Sequence, residues 1–196
     1  MKRMIFATGN ENKLKEIHMI MQDVDFEIVS MKEAGLDLDI DENGTTFEEN
    51  AVIKAKAVCE ATGEPALADD SGLEIDYLNK EPGVYSARYA GVDTPYEIKN
   101  QMLMDRLEGV PDEKRTARFV CVIAAVFPDG RVITQRGTME GIIAHESKGA
   151  NGFGYDPIFF LPEYGCTSAE LSPEDKNAIS HRGVALRKMR DVLKDE

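Results

Sequence analysis

The sequence contains few cysteines and no pattern that would link them. Cys59, Cys121 and Cys166 are an odd number, they are widely spaced, and none belongs to a Cys-x-x-Cys pair. This argues against a disulfide framework and against a zinc site. Cys59 and Cys121 fall inside apolar patterns, so we expect both to be buried free thiols.

The sequence also lacks a long hydrophobic run. No apolar stretch approaches the ~20 residues needed to span a bilayer. The apolar run after Lys2 and Arg3 is far too short for a secretory signal peptide, and no small-residue cleavage site follows it. We therefore expect a mature chain that begins at Met1, stays in the cytoplasm and does not bind a membrane.

Positive charge is scarce. Lys and Arg number 23 against 36 Asp and Glu, which gives a net charge of −13. A nucleic-acid-binding protein needs a basic face, so we expect no nucleic acid partner. A small anion remains possible, because it needs only a local cluster of cations or a metal ion. With 196 residues, 42% of them hydrophobic, the chain is long enough for one domain or two closely fused lobes, and we predict a single domain over residues 1–196.

The N-terminal segment is predicted to form a strand, a glycine turn and a helix. Residues 2–8 are the strand, Gly9 and Asn10 break it, and apolar residues recur at helical spacing over residues 12–21. This arrangement points helix amide groups at an anion. A plain turn with a surface lysine explains the segment equally well, because the P-loop spacing is absent.

Later segments predict further helices and a mixed sheet. Thr46 and Glu49 form a capping box that opens a helix to about Thr62. Thr94 is predicted to cap a helix whose first residue is Pro95. Residues 118–127 form a near-continuous apolar strand that returns as a hairpin over residues 131–138, and the last helix is predicted over residues 184–193.

Two adjacent acids follow a short apolar run. Asp69 and Asp70 precede Ser71 and Gly72, so we predict a strand that breaks at its carboxyl end and then restarts. Ligands of α/β sheets bind at such strand ends, and paired acids suit a hard cation or a general base. A solvated acidic turn is the alternative.

Residues 149–157 combine glycines, aromatics and one acid. Glycine lets the backbone approach a ligand closely, and Phe153 on such a loop can stack on a planar base. A tight turn with aromatics in the core is the alternative. Further along, His181 and Arg182 are two planar donors that can face one ligand edge.

Six motifs together resemble one known family. They are ATGN at residues 7–10 with Lys13, TFEENA at 46–51 with Lys54, ADDSGL at 68–73, PGVYSARY at 82–89, GFGYDP at 152–157, and Lys176 with SHRG at 180–183. In this order and spacing they resemble the non-canonical purine nucleoside triphosphate pyrophosphatases, which hydrolyse inosine and xanthosine triphosphates.

The resemblance implies an α/β fold with a long twisted mixed β-sheet flanked by helices, two lobes and a central cleft, assembled as a homodimer. It implies Mg²⁺-dependent hydrolysis of ITP, dITP and XTP to the monophosphate and pyrophosphate. Such an enzyme cleanses the nucleotide pool and prevents misincorporation into DNA and RNA.

The resemblance also implies the roles of individual residues. Asp70 is expected to be the proton acceptor and a Mg²⁺ ligand, and a second metal acid is Asp41 or Glu42, with Asp41 preferred. Asp69 is expected to orient Asp70. The substrate-binding residues are expected to be Thr8, Gly9, Asn10, Glu11, Asn12, Lys13, Lys54, Ser71, Phe153, Gly154, Tyr155, Asp156, Lys176, His181 and Arg182.

The chemistry of these residues agrees with that reaction. Mg²⁺ takes few protein carboxylates and keeps waters and phosphate oxygens, and the lysines can neutralise the rest of the triphosphate. Donors at His181 and Arg182 would favour a 6-oxo purine over adenine. They do not explain the rejection of guanine.

Two other functions fit part of the pattern. One is a pyrophosphatase for modified pyrimidine or canonical nucleotides, and the other is a nucleotide-binding module without turnover. Paired acids beside a phosphate turn favour catalysis, because a pure binder has no need for a general base.

Overall fold

The computed structural model describes residues 2–194 and Glu196, and of Asn12 only the helical backbone. Five helices and seven strands form over these residues. The strands are β1 (Lys2–Phe6), β2 (Phe26–Ser30), β3 (Ala66–Ile75), β4 (Thr116–Val126), β5 (Val132–Ile143), β6 (Phe159–Leu161) and β7 (Cys166–Thr167). The helices are α1 (Glu11–Ile20), α2 (Phe47–Thr62), α3 (Tyr96–Arg106), α4 (Pro173–Ile179) and α5 (His181–Leu193).

The strands form one mixed sheet in the order β2-β1-β3-β4-β5-β6-β7. β1 is parallel to β2 and to β3, whereas β6 is antiparallel to β5 and to β7. At the predicted hairpin the Phe127 amide donates to the Arg131 carbonyl at 3.0 Å. The predicted α/β class with a mixed sheet is confirmed.

The predicted break in β3 is wrong. The strand continues from Ala66 to Ile75 and carries both acids in its middle. Because successive side chains of a strand point to opposite faces, Asp69 and Asp70 meet different neighbours. β3 lies between β1 and β4 in the sheet, and its pairing with β1 covers Ala66 and Leu67, so the strand carries the two acids past the end of β1.

The chain divides into two compact units. The first takes in the chain up to Ser71, residues 121–137 and the chain from Arg182 onward, and the second takes in residues 72–120 and 138–181. Each has its own apolar core. The first core includes Met4, Phe6, Ile17, Leu67, Ile123 and Leu186, and the second includes Leu73, Ile75, Leu103, Phe119, Ile158 and Phe159.

Cys59 and Cys121 are buried free thiols, as expected. Within residues 2–194 and Glu196, no helix combines the length and the hydropathy that crossing a bilayer requires. The single-domain assignment remains a prediction.

The helix ends follow the predicted chemistry in α2 but not in α3. Thr46 Oγ1 accepts the Glu49 amide at 3.1 Å, and Gly63 ends α2 in the left-handed region at φ 70°. Thr94 does not cap α3, because its hydroxyl donates to the Ala90 carbonyl at 2.6 Å and Pro95 precedes the helix in an extended conformation. α5 begins three residues before the predicted start.

Candidate active site

The predicted strand, turn and helix at the N-terminus form. The Asn10 amide donates to Thr8 Oγ1 at 3.1 Å, and Asn10 Oδ1 accepts the Lys13 amide at 3.3 Å. Asn10 therefore closes the first turn of α1. Together with Gly9 and Glu11, Thr8 and Asn10 line an open cavity of about 760 Å³ in the first unit.

Asp69 is a buried carboxylate held by two cations. Its oxygens accept Lys13 Nζ at 2.7 and 3.0 Å, and Arg182 Nε lies 3.6 Å from Oδ2. Burial by itself would raise the pKa of Asp69, but the charges of Lys13, Arg182 and Lys54 outweigh it and hold the pKa below its usual range. Asp69 is therefore a fixed anion that orders the cations around it.

Arg182 is almost buried beside Asp69. Its guanidinium lies 3.5 Å from Glu16 Oε2 and donates to Ser71 Oγ at 3.4 Å. Burial opposes its charge, but the carboxylates of Asp69 and Glu16 raise its pKa. The predicted substrate-binding residues Lys13, Ser71 and Arg182 therefore lie around one carboxylate in the first unit.

Asp70 faces a different set of groups. Lys54 Nζ from α2 lies 3.7 Å from Asp70 Oδ1 and 3.1 Å from Glu42 Oε2. The second Asp70 oxygen is buried and accepts no hydrogen bond from the part of the chain that the structure describes. A buried carboxylate oxygen without a donor is costly, so Asp70 has an oxygen available for a ligand.

Burial raises the pKa of Asp70 to about 6, and the negative charge of Glu42 adds to the rise while Lys54 opposes it. Burial also opposes the charge of Lys54, but the carboxylates of Asp69, Asp70 and Glu42 raise its pKa. Two neighbouring acids with pKa values pushed in opposite directions are typical of a catalytic site.

Glu42 and Asp41, the two alternatives for the second metal acid, differ in their contacts. Glu42 shares Lys54 with Asp70, whereas Asp41 is exposed and accepts from Asn43 Nδ2 at 3.5 Å. Glu42 and Asp70 together supply the carboxylate oxygens that Mg²⁺ prefers. No cluster of three or more metal-ligating side chains occurs within residues 2–194 and Glu196.

The second unit holds the predicted base-binding loop. Phe153 is 67% exposed, and Lys176 Nζ lies 5.2 Å from the centroid of its ring. Asp156 is buried, pairs with Lys176, accepts the Phe153 amide at 2.9 Å and accepts Ser168 Oγ at 2.7 Å. Asp156 therefore fixes the loop, and Phe153 presents an open face.

Hydrogen bonds to neighbouring elements fix two other predicted residues of this loop, Gly154 and Tyr155. Tyr155 is buried, its hydroxyl donates to the Ser86 carbonyl at 2.5 Å, and burial raises its pKa. Asn100 of α3 donates to the Gly154 carbonyl at 3.1 Å. His181 stacks on Phe119 with ring centroids 5.0 Å apart.

The comparisons with known proteins agree over nearly the whole chain. The model of the Ham1 family matches residues 4–192. The chain belongs to the Ham1 family. It is 50% identical to a dITP/XTP pyrophosphatase of Desulforamulus reducens, with 97% of this chain and 95% of that protein covered.

Solved structures of other members have the same fold. The HAM1 protein of Coxiella burnetii matches with a TM-score of 0.94 at 44% identity, covering 100% of both chains. The Ham1 protein of Staphylococcus aureus matches with a TM-score of 0.92 at 41% identity, covering 99% of both chains. The expected family and its fold are therefore confirmed.

This Ham1 chain also contains contacts that the sequence did not reveal. Ser168 binds the Asp156 carboxylate, Glu16 approaches Arg182, and Asn50 accepts the Gly44 amide at 2.8 Å. Asn50 had one detectable signal, because it lies four residues before Lys54 on the same helix face. Ser168 and Glu16 had none. The side chain of Asn12 lies outside the described residues.

Proposed function

We propose that this protein hydrolyses non-canonical purine nucleoside triphosphates, namely ITP, dITP and XTP, to the monophosphate and pyrophosphate. The observation that carries the proposal is Asp70, a half-buried carboxylate with a raised pKa and one buried oxygen that accepts no hydrogen bond from the described residues. The chain matches dITP/XTP pyrophosphatases along nearly its entire length, which supports the same chemistry here. By this activity it removes damaged purines from the nucleotide pool.

The triphosphate binds through cations of the first unit. Lys13 and Arg182 are ordered by Asp69, and Lys54 is ordered by Glu42 and Asp70. Their side chains stabilise the charge that develops on phosphate oxygens and on the leaving pyrophosphate. The Thr8 hydroxyl and the backbone of the turn from Gly9 to Lys13 add neutral donors.

The donor set fits a Mg²⁺ ion. Glu42 and Asp70 are the two carboxylates paired with Lys54, and the buried Asp70 oxygen, which accepts no hydrogen bond from the described residues, is free to bind an ion. One or two carboxylates together with substrate phosphates are the usual protein ligands of Mg²⁺. When bound, the ion supplies charge neutralisation and lowers the pKa of water.

Asp70 accepts the proton of the attacking water. Its pKa of about 6 leaves it ionised at pH 7.5 and makes it a stronger base than an ordinary aspartate. The water oxygen bonds to the α-phosphorus, the bond from that phosphorus to the bridging oxygen breaks, and pyrophosphate leaves with the bonding electrons. Lys54 limits the movement of the Asp70 side chain during this step.

The purine stacks on Phe153, whose ring is exposed and faces Lys176. Lys176 and His181 are the candidate donors to the 6-oxo group, and a donor there disfavours adenine. Phe153→Ala should weaken the binding of IMP about tenfold, because base stacking contributes ~1–3 kcal/mol. Exposed Tyr164 is the matched control, and Tyr164→Ala should leave IMP affinity unchanged in isothermal titration calorimetry.

The test of the activity is a substrate panel with Mg²⁺ and product analysis. ITP, dITP and XTP should release pyrophosphate and monophosphate with a kcat/KM at least tenfold above that of GTP or dTTP. Asp70→Asn should lose nearly all turnover while binding IMP normally. Equal rates for GTP and ITP would contradict the preference for damaged purines, and binding without pyrophosphate release would identify a nucleotide-binding module.

The same proposal includes a cytoplasmic homodimer that binds neither nucleic acid nor membranes. Free Cys59, Cys121 and Cys166 suit a reducing compartment. Light scattering at micromolar concentration should give twice the 21.7 kDa mass of the chain. A monomeric mass would contradict the dimer and leave the proposed activity unaffected.

A further inference from the structure

Asn50 is a buried amide on the helix that carries Lys54. Its side chain is 1% exposed, and buried side-chain amides in proteins are nearly always hydrogen-bonded. Asn50 Oδ1 accepts the Gly44 backbone amide at 2.8 Å. The bond joins α2 to the irregular segment that precedes it, only two residues after Glu42.

The turn at Gly44 fits closely against this amide. A Cβ atom at residue 44 would lie 2.6 Å from Asn50 Oδ1 and 2.8 Å from the Glu49 Cβ, closer than side chains pack. The side chains of Asn50 and Glu49 leave no room for a Cβ atom at residue 44, so this position requires glycine. The Thr45 amide and hydroxyl donate to Glu49 at 2.6 and 2.9 Å, which ties the next residue to the same helix.

Lys54 makes the second link one helical turn later. Asn50 and Lys54 are four residues apart and share a face of α2. Lys54 Nζ reaches Glu42 at 3.1 Å and Asp70 at 3.7 Å, and the Asn50 side chain also hydrogen-bonds to Asp70. Side chains on one face of α2 therefore contact both the segment that carries Glu42 and the middle of β3.

The segment that carries Glu42 loses conformational entropy when it becomes ordered. Residues 36–44 contain no helix or strand, so the chain there gains little order from regular hydrogen bonds. A ligand carboxylate on such a segment must be ordered before it can contribute to metal binding. The Asn50–Gly44 hydrogen bond provides that order, although Asn50 is not itself a metal ligand.

We propose that Asn50 is a positioning residue of the metal centre, which holds the Glu42 carboxylate beside Asp70 by fixing the turn at Gly44. The inference rests on the proposed function, because it takes Glu42 and Asp70 as the metal ligands. Groups that orient metal ligands typically change metal affinity by about 10–100-fold when they are removed.

The test measures metal binding separately from turnover. Asn50→Ala should raise the Kd for Mn²⁺ in nucleotide-free calorimetry about tenfold, and should raise the half-saturating Mg²⁺ concentration for ITP hydrolysis by a similar factor. At saturating Mg²⁺ the KM for ITP should change less than about threefold, because the groups that bind the nucleotide are unaltered. Asn43→Ala, an exposed asparagine next to Glu42, is the matched control and should leave both metal constants unchanged.

A second variant disrupts the same hydrogen bond at its donor residue, Gly44. Gly44→Ala forces a Cβ against Asn50 Oδ1 and should weaken Mn²⁺ binding, but by no more than Asn50→Ala, which also loses the hydrogen bond to Asp70. Both substitutions break the Asn50–Gly44 hydrogen bond, so the double variant should bind Mn²⁺ no more weakly than Asn50→Ala alone. Losses that multiply would overturn the shared contact, and Gly44→Ala carries the test if Asn50→Ala does not fold.

The outcomes separate the two claims. A wild-type protein that releases no pyrophosphate from ITP contradicts the proposed function. An active wild type whose Asn50→Ala and Gly44→Ala variants bind Mn²⁺ normally, even with a lowered Tm, overturns the role of Asn50 alone. Amide exchange gives a further readout, since the Gly44 amide should exchange faster in Asn50→Ala while core amides stay protected.

Discussion

Asp69 and Asp70 follow each other on one strand but experience opposite electrostatic environments. Asp69 is paired with Lys13 and Arg182, which hold its pKa below the usual range. Asp70 is half-buried, with a pKa of about 6 and one buried oxygen that accepts no hydrogen bond from the described residues. Asp69 is therefore a structural anion, and Asp70 is the group suited to proton transfer.

Asp70→Asn should stabilise the metal-free protein at neutral pH. The folded pKa of about 6 exceeds the ordinary aspartate pKa of 3.8, so the folded state binds more protons and wild-type stability falls as pH rises between these values. Asn lacks this titration. The gain in free energy of unfolding should be near zero at pH 4 and reach about 2–3 kcal/mol above pH 6.

Urea unfolding in EDTA across this pH range measures the effect, with Asp39→Asn at an exposed position as the control. A gain that is constant with pH would argue against the raised pKa of Asp70. A loss of stability at pH 7.5 would mean that the carboxylate is better solvated than its burial indicates.

Asp69→Asn should have the opposite effect. It leaves Lys13 and the buried Arg182 without their shared anion, and the loss of one partner of a buried pair costs about 3–5 kcal/mol. Because the folded pKa of Asp69 is lowered, this contribution is present above about pH 4 and is lost as pH falls further.

The same urea experiment at pH 7.5 compares the two variants of the pair directly. Destabilisation by Asp69→Asn together with stabilisation by Asp70→Asn is the expected result. Equal effects from both substitutions would contradict the division of roles between the two acids.

At the scale of elements, most helices and strands follow from local patterns, and β3 and α5 are the exceptions. The capping box of α2 and the hairpin of β4 and β5 depend on neighbouring residues, so the sequence predicts them. β3 passes through Asp69 and Asp70 despite their turn preference, as a ten-residue strand between β1 and β4 in the sheet. α5 begins at His181 although its apolar pattern starts later.

Thr46→Ala and Thr94→Ala separate a true cap from an apparent one. Thr46 accepts the Glu49 amide, and loss of such a cap costs about 1 kcal/mol. Thr94 was predicted to cap α3 but donates to Ala90 instead, so we expect its substitution to cost less than about 0.5 kcal/mol. Thermal unfolding measures both, and equal losses would restore Thr94 as a helix cap.

At the scale of the whole molecule, the dominant property is the net charge of −13. The cations at Lys13, Lys54 and Arg182 are each paired with carboxylates, so they form a local site inside an acidic protein. Under the proposed function a triphosphate would meet these cations together with Mg²⁺, whereas a nucleic acid backbone meets repulsion over a much larger surface.

Fluorescence anisotropy of a labelled 20-base-pair DNA duplex tests this at 50 and 150 mM salt. No binding is expected at protein concentrations up to about 10 μM at either salt, because a protein without a basic face releases few counterions. IMP binding under the same conditions is the positive control. Salt-sensitive binding of the duplex would reveal a basic surface that the net charge conceals.

The sequence by itself determined the family, the α/β class and the two motifs that contain the candidate proton acceptor and the candidate stacking residue. These depend on residue types at short spacing, which a chain displays before it folds. Only the tertiary structure decided that Asp69 orders Lys13 and Arg182, that Glu42 shares Lys54 with Asp70, and that Asn50 binds Gly44. The contacts of Asp69 and of Lys54 join side chains that are separated along the chain. These side chains come within bonding distance, and become buried, only when the sheet and its helices have packed.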